Sequence, residues 1–180
     1  MKLYRKTLVL AAALAALGFA GSAQAWQRAT AHQNARGGSR AVTASGAPGQ
    51  GYQRNVDRTT ARGATRSSQV SGGAGQGYNR ESSATGVYGG SRSVTASGAP
   101  GQGYTREVER TTASGATSTR TYSVGGGQGY SRETSSTGVY GGTRSVSASG
   151  APGAGYSRTV QATGPNGASS QRSVTVNPPQ

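Results

Sequence analysis

The 180-residue sequence contains no cysteine and one histidine, and five acidic residues face nineteen Lys and Arg. The first absence excludes a disulfide framework, a thiolate metal site and a thiol nucleophile. The other two leave little for acid–base or metal chemistry, so the chain reads as non-enzymatic, with no cofactor. Isoleucine is absent too. All five Leu, the one Phe and the one Met lie within residues 1–25. Beyond residue 25 the large apolar or aromatic side chains are 12 Val, 8 Tyr and Trp26, set among 29 Gly, 23 Ser and 19 Thr. Ordering a residue costs about 1–2 kcal/mol of backbone entropy. Composition alone would therefore leave the isolated chain at least partly disordered. What opposes that reading is regularity.

Residues 1–25 are a different polymer. Lys2, Arg5 and Lys6 precede an apolar stretch from Leu8 to Ala20, and Ala23-Gln24-Ala25 follows with small residues at both positions a signal peptidase reads. The stretch falls short of the ~20 residues that span a bilayer. The segment reads as a Sec-type signal peptide cut between Ala25 and Trp26. It sends the chain to the periplasm, the cell surface or the extracellular space. No later stretch is apolar enough to span a membrane as a helix.

The mature chain is one repeat. Gly-Tyr recurs with its tyrosine at Tyr52, Tyr78, Tyr104, Tyr130 and Tyr156, each 26 residues after the last. Arg54, Arg80, Arg106, Arg132 and Arg158 follow two positions on. Five units fill 39–168. Residues 26–38 form a truncated N-terminal half-repeat, in which Trp26-Gln27-Arg28 aligns with Tyr52-Gln53-Arg54, and 169–180 a truncated C-terminal one. Units 1, 3 and 5 carry Ser-Gly-Ala-Pro-Gly, whereas units 2 and 4 end Val-Tyr-Gly-Gly, a superperiod of 52 residues. Fixed periods mark repeat architectures.

Each unit reads as two strand-like arms between glycine-rich turns. In the third, the arms are Ser91–Ser97 and Tyr104–Thr112, joined through Pro100-Gly101, a pair suited to a type II turn. Arg92, Val94, Tyr104, Arg106, Val108 and Arg110 share one parity, and Ser93, Thr95, Thr105, Glu107, Glu109 and Thr111 the other. Strand side chains alternate faces, so one face is Tyr/Val/Arg and the other Ser/Thr/Glu. The first arm of unit 4 drifts by an even step and keeps its face. The fold expected is all-β, as tandem 26-residue β-hairpins in an antiparallel meander or as a β-solenoid. Stacked coils would bring equivalent arginines within ~4.8 Å, and this favours the meander.

Gly49-Gln50-Gly51 lacks the further glycine, the lysine and the helix of a phosphate loop and reads as a turn. Glu107 and Glu109 do not recur in the other units and read as part of a solvated face. His32 has no motif around it. The chemical signal is arginine: sixteen beyond residue 25, without lysine, give +11 against the five acids. Arginine grips phosphate, sulfate and carboxylate bidentately. Tyr-x-Arg sets an aromatic and a cation on one face in every unit, which suits lipopolysaccharide phosphates, acidic polysaccharide or extracellular DNA. The competing reading is solubility, charge that keeps sheet edges from associating.

The segment Thr163-Gly164-Pro165-Asn166-Gly167, with Arg172-Ser173-Val174-Thr175 after it, resembles the Thr-Gly-Pro-Asn-Gly…Arg-Ser-Val-Thr repeats of exported Gram-negative Gly/Thr/Arg-rich proteins. The resemblance covers about 15 residues and implies export and a repeat, not an activity. Two functions follow: an exported structural or surface-interaction protein that can self-associate, or a polyanion-binding protein of the periplasm or medium.

Overall fold

The computed structural model describes residues 24–127 and 129–178. Residues 1–25, read from the sequence as a signal peptide, lie outside them except for Gln24 and Ala25. Twelve strands form one antiparallel sheet in chain order. They are β1 (Trp26–Gln33), β2 (Ser39–Ala47), β3 (Gly51–Thr59), β4 (Thr65–Gly73), β5 (Gly77–Thr85) and β6 (Ser91–Ala99), then β7 (Gly103–Thr111), β8 (Thr117–Gly125), β9 (Gly129–Thr137), β10 (Thr143–Ala151), β11 (Gly155–Thr163) and β12 (Ser169–Val176). The architecture is the meander, not the solenoid, and the sheet does not close: β1 touches only β2, and β12 only β11. Equivalent arms therefore stand two strands apart, roughly 10 Å.

Two hairpin turns alternate. At one end Ala99-Pro100-Gly101-Gln102 is closed by the Gln102 amide donating to the Ala99 carbonyl at 3.1 Å, with Gly101 at φ 73°. Positive φ at the third residue after proline at the second is the type II geometry. Gly73-Ala74-Gly75-Gln76 closes in the same way without proline, with Gly75 at φ 74°. At the other end the Gly115 amide donates to the Thr112 carbonyl and the Thr112 amide to that of Ala116. That is a three-residue loop with a left-handed glycine, Gly115 at φ 90°. The Thr112 hydroxyl also accepts from the Ala116 amide at 3.0 Å.

The glycine of each Gly-Tyr pair has two reasons to be glycine. Gly103 sits at φ 93°, and a Cβ there would collide with the Val124 carbonyl oxygen of the next hairpin. The tyrosine that follows lies beside another glycine. Tyr52 faces Gly46 on β2 and Gly72 on β4, and a Cβ on Gly72 would stand 3.2 Å from its ring. Tyr130 covers Gly150 and Trp26 covers Gly46 in the same manner. An aromatic ring laid over a strand glycine shields the backbone that glycine would expose.

This is a sheet with almost no core. Among the described residues the buried apolar side chain is Ala96, 5% exposed. It is flanked by Arg80 on β5 and Arg106 on β7, and arginine stems readily cover a methyl between them. Every strand contacts only its sequence neighbours, so stability is a chain of neighbour terms. Those terms are ladder hydrogen bonds, about 1 kcal/mol net each, and cross-strand side-chain pairs.

Candidate polyanion-binding face

Every register pairs an even-numbered residue with an even-numbered one, from Trp26↔Gly46 through Tyr156↔Val176. Directly opposed residues share a face, so parity sorts the whole sheet. All fourteen arginines that lie in strands are even-numbered, and all five acids, Asp57, Glu81, Glu107, Glu109 and Glu133, are odd-numbered. One face therefore carries the positive charge and the other the negative. The acids offset net charge without standing beside the arginines. On their own face they meet hydroxyls, as where Ser93 Oγ donates to Glu109 Oε2 at 3.2 Å.

The sequence-predicted residues form two rows on the even face. Tyr52, Tyr78, Tyr104, Tyr130 and Tyr156 open β3, β5, β7, β9 and β11, with Trp26 in the equivalent place on β1. Tyr52, Tyr78, Tyr104 and Tyr130 are 36–45% exposed. The next even position gives Arg54, Arg80, Arg106, Arg132 and Arg158, with Arg28 as the sixth member. Between them stand apolar side chains: Ala44, Val70, Ala96, Tyr122 and Ala148. This alternation keeps like charges roughly 10 Å apart along a row about 50 Å long. Arg80 is half-buried, and its Nε has no hydrogen-bond partner.

A second arginine set lies toward the three-residue loops, where charges do meet. Arg40, Arg58 and Arg66 are direct partners on β2, β3 and β4, and Arg92 opposes Arg110 on β6 and β7. Like charges so placed destabilise a sheet unless an anion lies between them. Tyr-x-Arg spacing does not reveal this set, because the juxtaposition depends on register across a loop. The parity of Arg58 and Arg110, combined with three-residue loops, would have located it. Two of these loops also project Tyr88 and Tyr140, 85% and 87% exposed.

The even face is grooved. One groove, about 1060 Å³, is lined by Arg92, Arg106, Arg110, Arg120 and Arg132 together with Tyr104. A second, about 450 Å³, lies among Arg120, Arg132, Arg144, Arg158 and Tyr156. A third, about 270 Å³, holds Arg66, Arg80 and Arg92. Arginines, tyrosines and small residues line all three. Gly49 and Gln50 lie in a turn and Gly51 opens β3, with no helix following as a phosphate loop would need. His32 is exposed on the edge strand β1, opposite Arg40. Among the described residues no three His, Asp or Glu side chains gather as a metal site, and no helix is long and apolar enough to cross a membrane. No family model, curated protein or solved structure matches the chain.

Proposed function

We propose that this is an exported, non-enzymatic surface-interaction protein whose arginine–tyrosine face binds an acidic polymer. The observation that carries the reading is the division of charge, with fourteen strand arginines on one side of a single-layer sheet and all five acids on the other. Solubility alone needs charge and is indifferent to which face holds it. A face that must meet a polyanion needs its cations together and its acids away. Arginine without lysine favours bidentate contact to phosphate, sulfate or carboxylate, and the interleaved tyrosines offer stacking or apolar contact to bases or sugar rings. A row of cations along a grooved face favours an extended acidic chain, such as acidic polysaccharide, the phosphate-bearing part of lipopolysaccharide or extracellular DNA.

The test is elution by salt from immobilised lipopolysaccharide, an acidic polysaccharide and DNA, with a neutral polysaccharide as control. Retention on the acidic polymers that is lost in the fivefold Arg→Gln variant at positions 54, 80, 106, 132 and 158 supports the reading. Equal passage of native and variant protein through every column would leave the arginines as solubility devices.

A further inference from the structure

We propose that the two open edges of the sheet are complementary, so that β12 of one copy pairs antiparallel with β1 of the next and the copies join head to tail in a ribbon. This does not depend on the ligand reading. Within the repeat the even-numbered strands are first arms and the odd-numbered strands second arms, so β12 offers a first arm and β1 a second. Five internal junctions, beginning with β2–β3, already join those two kinds of arm antiparallel. Moving the β2–β3 register along by five repeats sets Val176 opposite the next copy's Trp26. Val174 then faces Arg28, Arg172 faces Thr30 and Ser170 faces His32.

That junction has a close counterpart inside the chain. Across β8–β9, Val124 faces Tyr130, Tyr122 faces Arg132, Arg120 faces Thr134 and Ser118 faces Ser136. The order is the same at each step: β-branched against aromatic, apolar against arginine, arginine against threonine, and serine against a small or polar partner. No arginine would oppose an arginine, unlike at β2–β3 and β6–β7, where Arg40 meets Arg58 and Arg92 meets Arg110. On the opposite face Ser173 would meet Ala29. The spacing from Arg158 to the next copy's Arg28 would equal the two-strand step within the sheet, so the arginine row would run on unbroken.

Register also decides against the same edges meeting within one copy. From Thr30 on β1, direct partners lead through Val42, Val56, Ser68 and on to Val160 and Arg172, and the junction leads back to the position of Thr30. The net stagger is zero. A barrel closes only with a stagger that tilts its strands, so this register suits a second copy instead. The edges themselves are lightly guarded, each by a single arginine, Arg28 on β1 and Arg172 on β12. All eight residues of each are exposed, and neither strand contains proline. Exposed edges with so little blunting recruit further strands, and a head-to-tail contact that does not close propagates.

Because the chain has no cysteine, cross-linking can read both partner and register. Directly opposed residues lie ~4.5–5.5 Å apart, within the ~4.4–6.8 Å between Cα atoms that a disulfide bridges, whereas diagonal ones at about 7–8 Å are beyond it. The chain carrying Ala29→Cys with Ser173→Cys should give, on mild oxidation, a ladder of dimers, trimers and higher species. The diagonal pair Ala29→Cys with Gln171→Cys should give several-fold less. Sedimentation of the unsubstituted protein should show mass rising with concentration. A cross-link confined to one chain, equal ladders from both variants, or a native protein that stays monomeric at every concentration would each overturn the proposal.

Discussion

Gly103→Ala and Gly101→Ala differ by two positions in one turn and should differ sharply in effect. Both glycines have positive φ, 93° and 73°, so alanine at either meets a left-handed strain of about 1–2 kcal/mol. At Gly101 nothing lies within 4 Å of the added methyl, whereas at Gly103 the Val124 carbonyl oxygen and the Gly125 Cα occupy its place. Neither obstacle is a flexible side-chain end, so β7 and β8 must separate there. Loss of one or two ladder bonds, about 1 kcal/mol each, brings the Gly103→Ala cost to about 2–4 kcal/mol. Stability along such a sheet is local, so the assay is amide hydrogen exchange with urea unfolding by circular dichroism as a second readout. Exchange should accelerate across the β7–β8 boundary for Gly103→Ala and stay near native there for Gly101→Ala. Equal effects at the two positions would refute the close-approach argument and leave backbone strain as the sole reason for the glycine.

Ala74→Pro should stabilise its hairpin by about 0.4–1 kcal/mol, because that turn has the geometry of the one proline already occupies at Pro100; urea unfolding checks it, and a loss of stability would contradict the shared turn type. Arg58→Ser should remove repulsion from Arg40 and Arg66 and stabilise β2–β4 by about 0.2–1 kcal/mol at low salt, an effect that should shrink in high salt. Tyr52→Ala should uncover Gly72 and speed hydrogen exchange in β3 and β4 while leaving β9–β12 unchanged. Exported material should begin at Trp26 by N-terminal sequencing, and retention of residues 1–25 would contradict the signal reading.

The faces were legible because the period is even. A 26-residue repeat returns each side chain to the same parity, and the hairpin registers preserve it, so Arg54 and Arg158 share a face across eight intervening strand boundaries. Strand limits were less legible. The first arm of unit 3 was expected over Ser91–Ser97 and runs to Ala99, because Gly98 and Ala99 pair with Tyr104 and Gly103 despite their turn-like composition. The second was expected to reach Thr112, but Thr112 commits its amide, carbonyl and hydroxyl to the loop, and β7 stops at Thr111. Meander and solenoid were separated in the sequence only by a charge-spacing argument, since both satisfy the same parity. The Arg40–Arg58–Arg66 contact stayed hidden because those residues come from three strands and no single motif contains them.

The most direct test of the central claim is the slope of log binding constant against log salt for the native protein and the fivefold Arg→Gln variant on one acidic polymer. On duplex DNA each neutralised phosphate contributes about 0.9 to that slope. The row including Arg28 therefore accounts for about 5 of the native slope, and any arginine of the second set that also contacts the polymer adds to it. The variant should lose about 4 to 5 of it while keeping its strand signal in circular dichroism. An unchanged slope in a folded variant, or native binding insensitive to salt, would contradict the assignment of the arginine face as the binding surface.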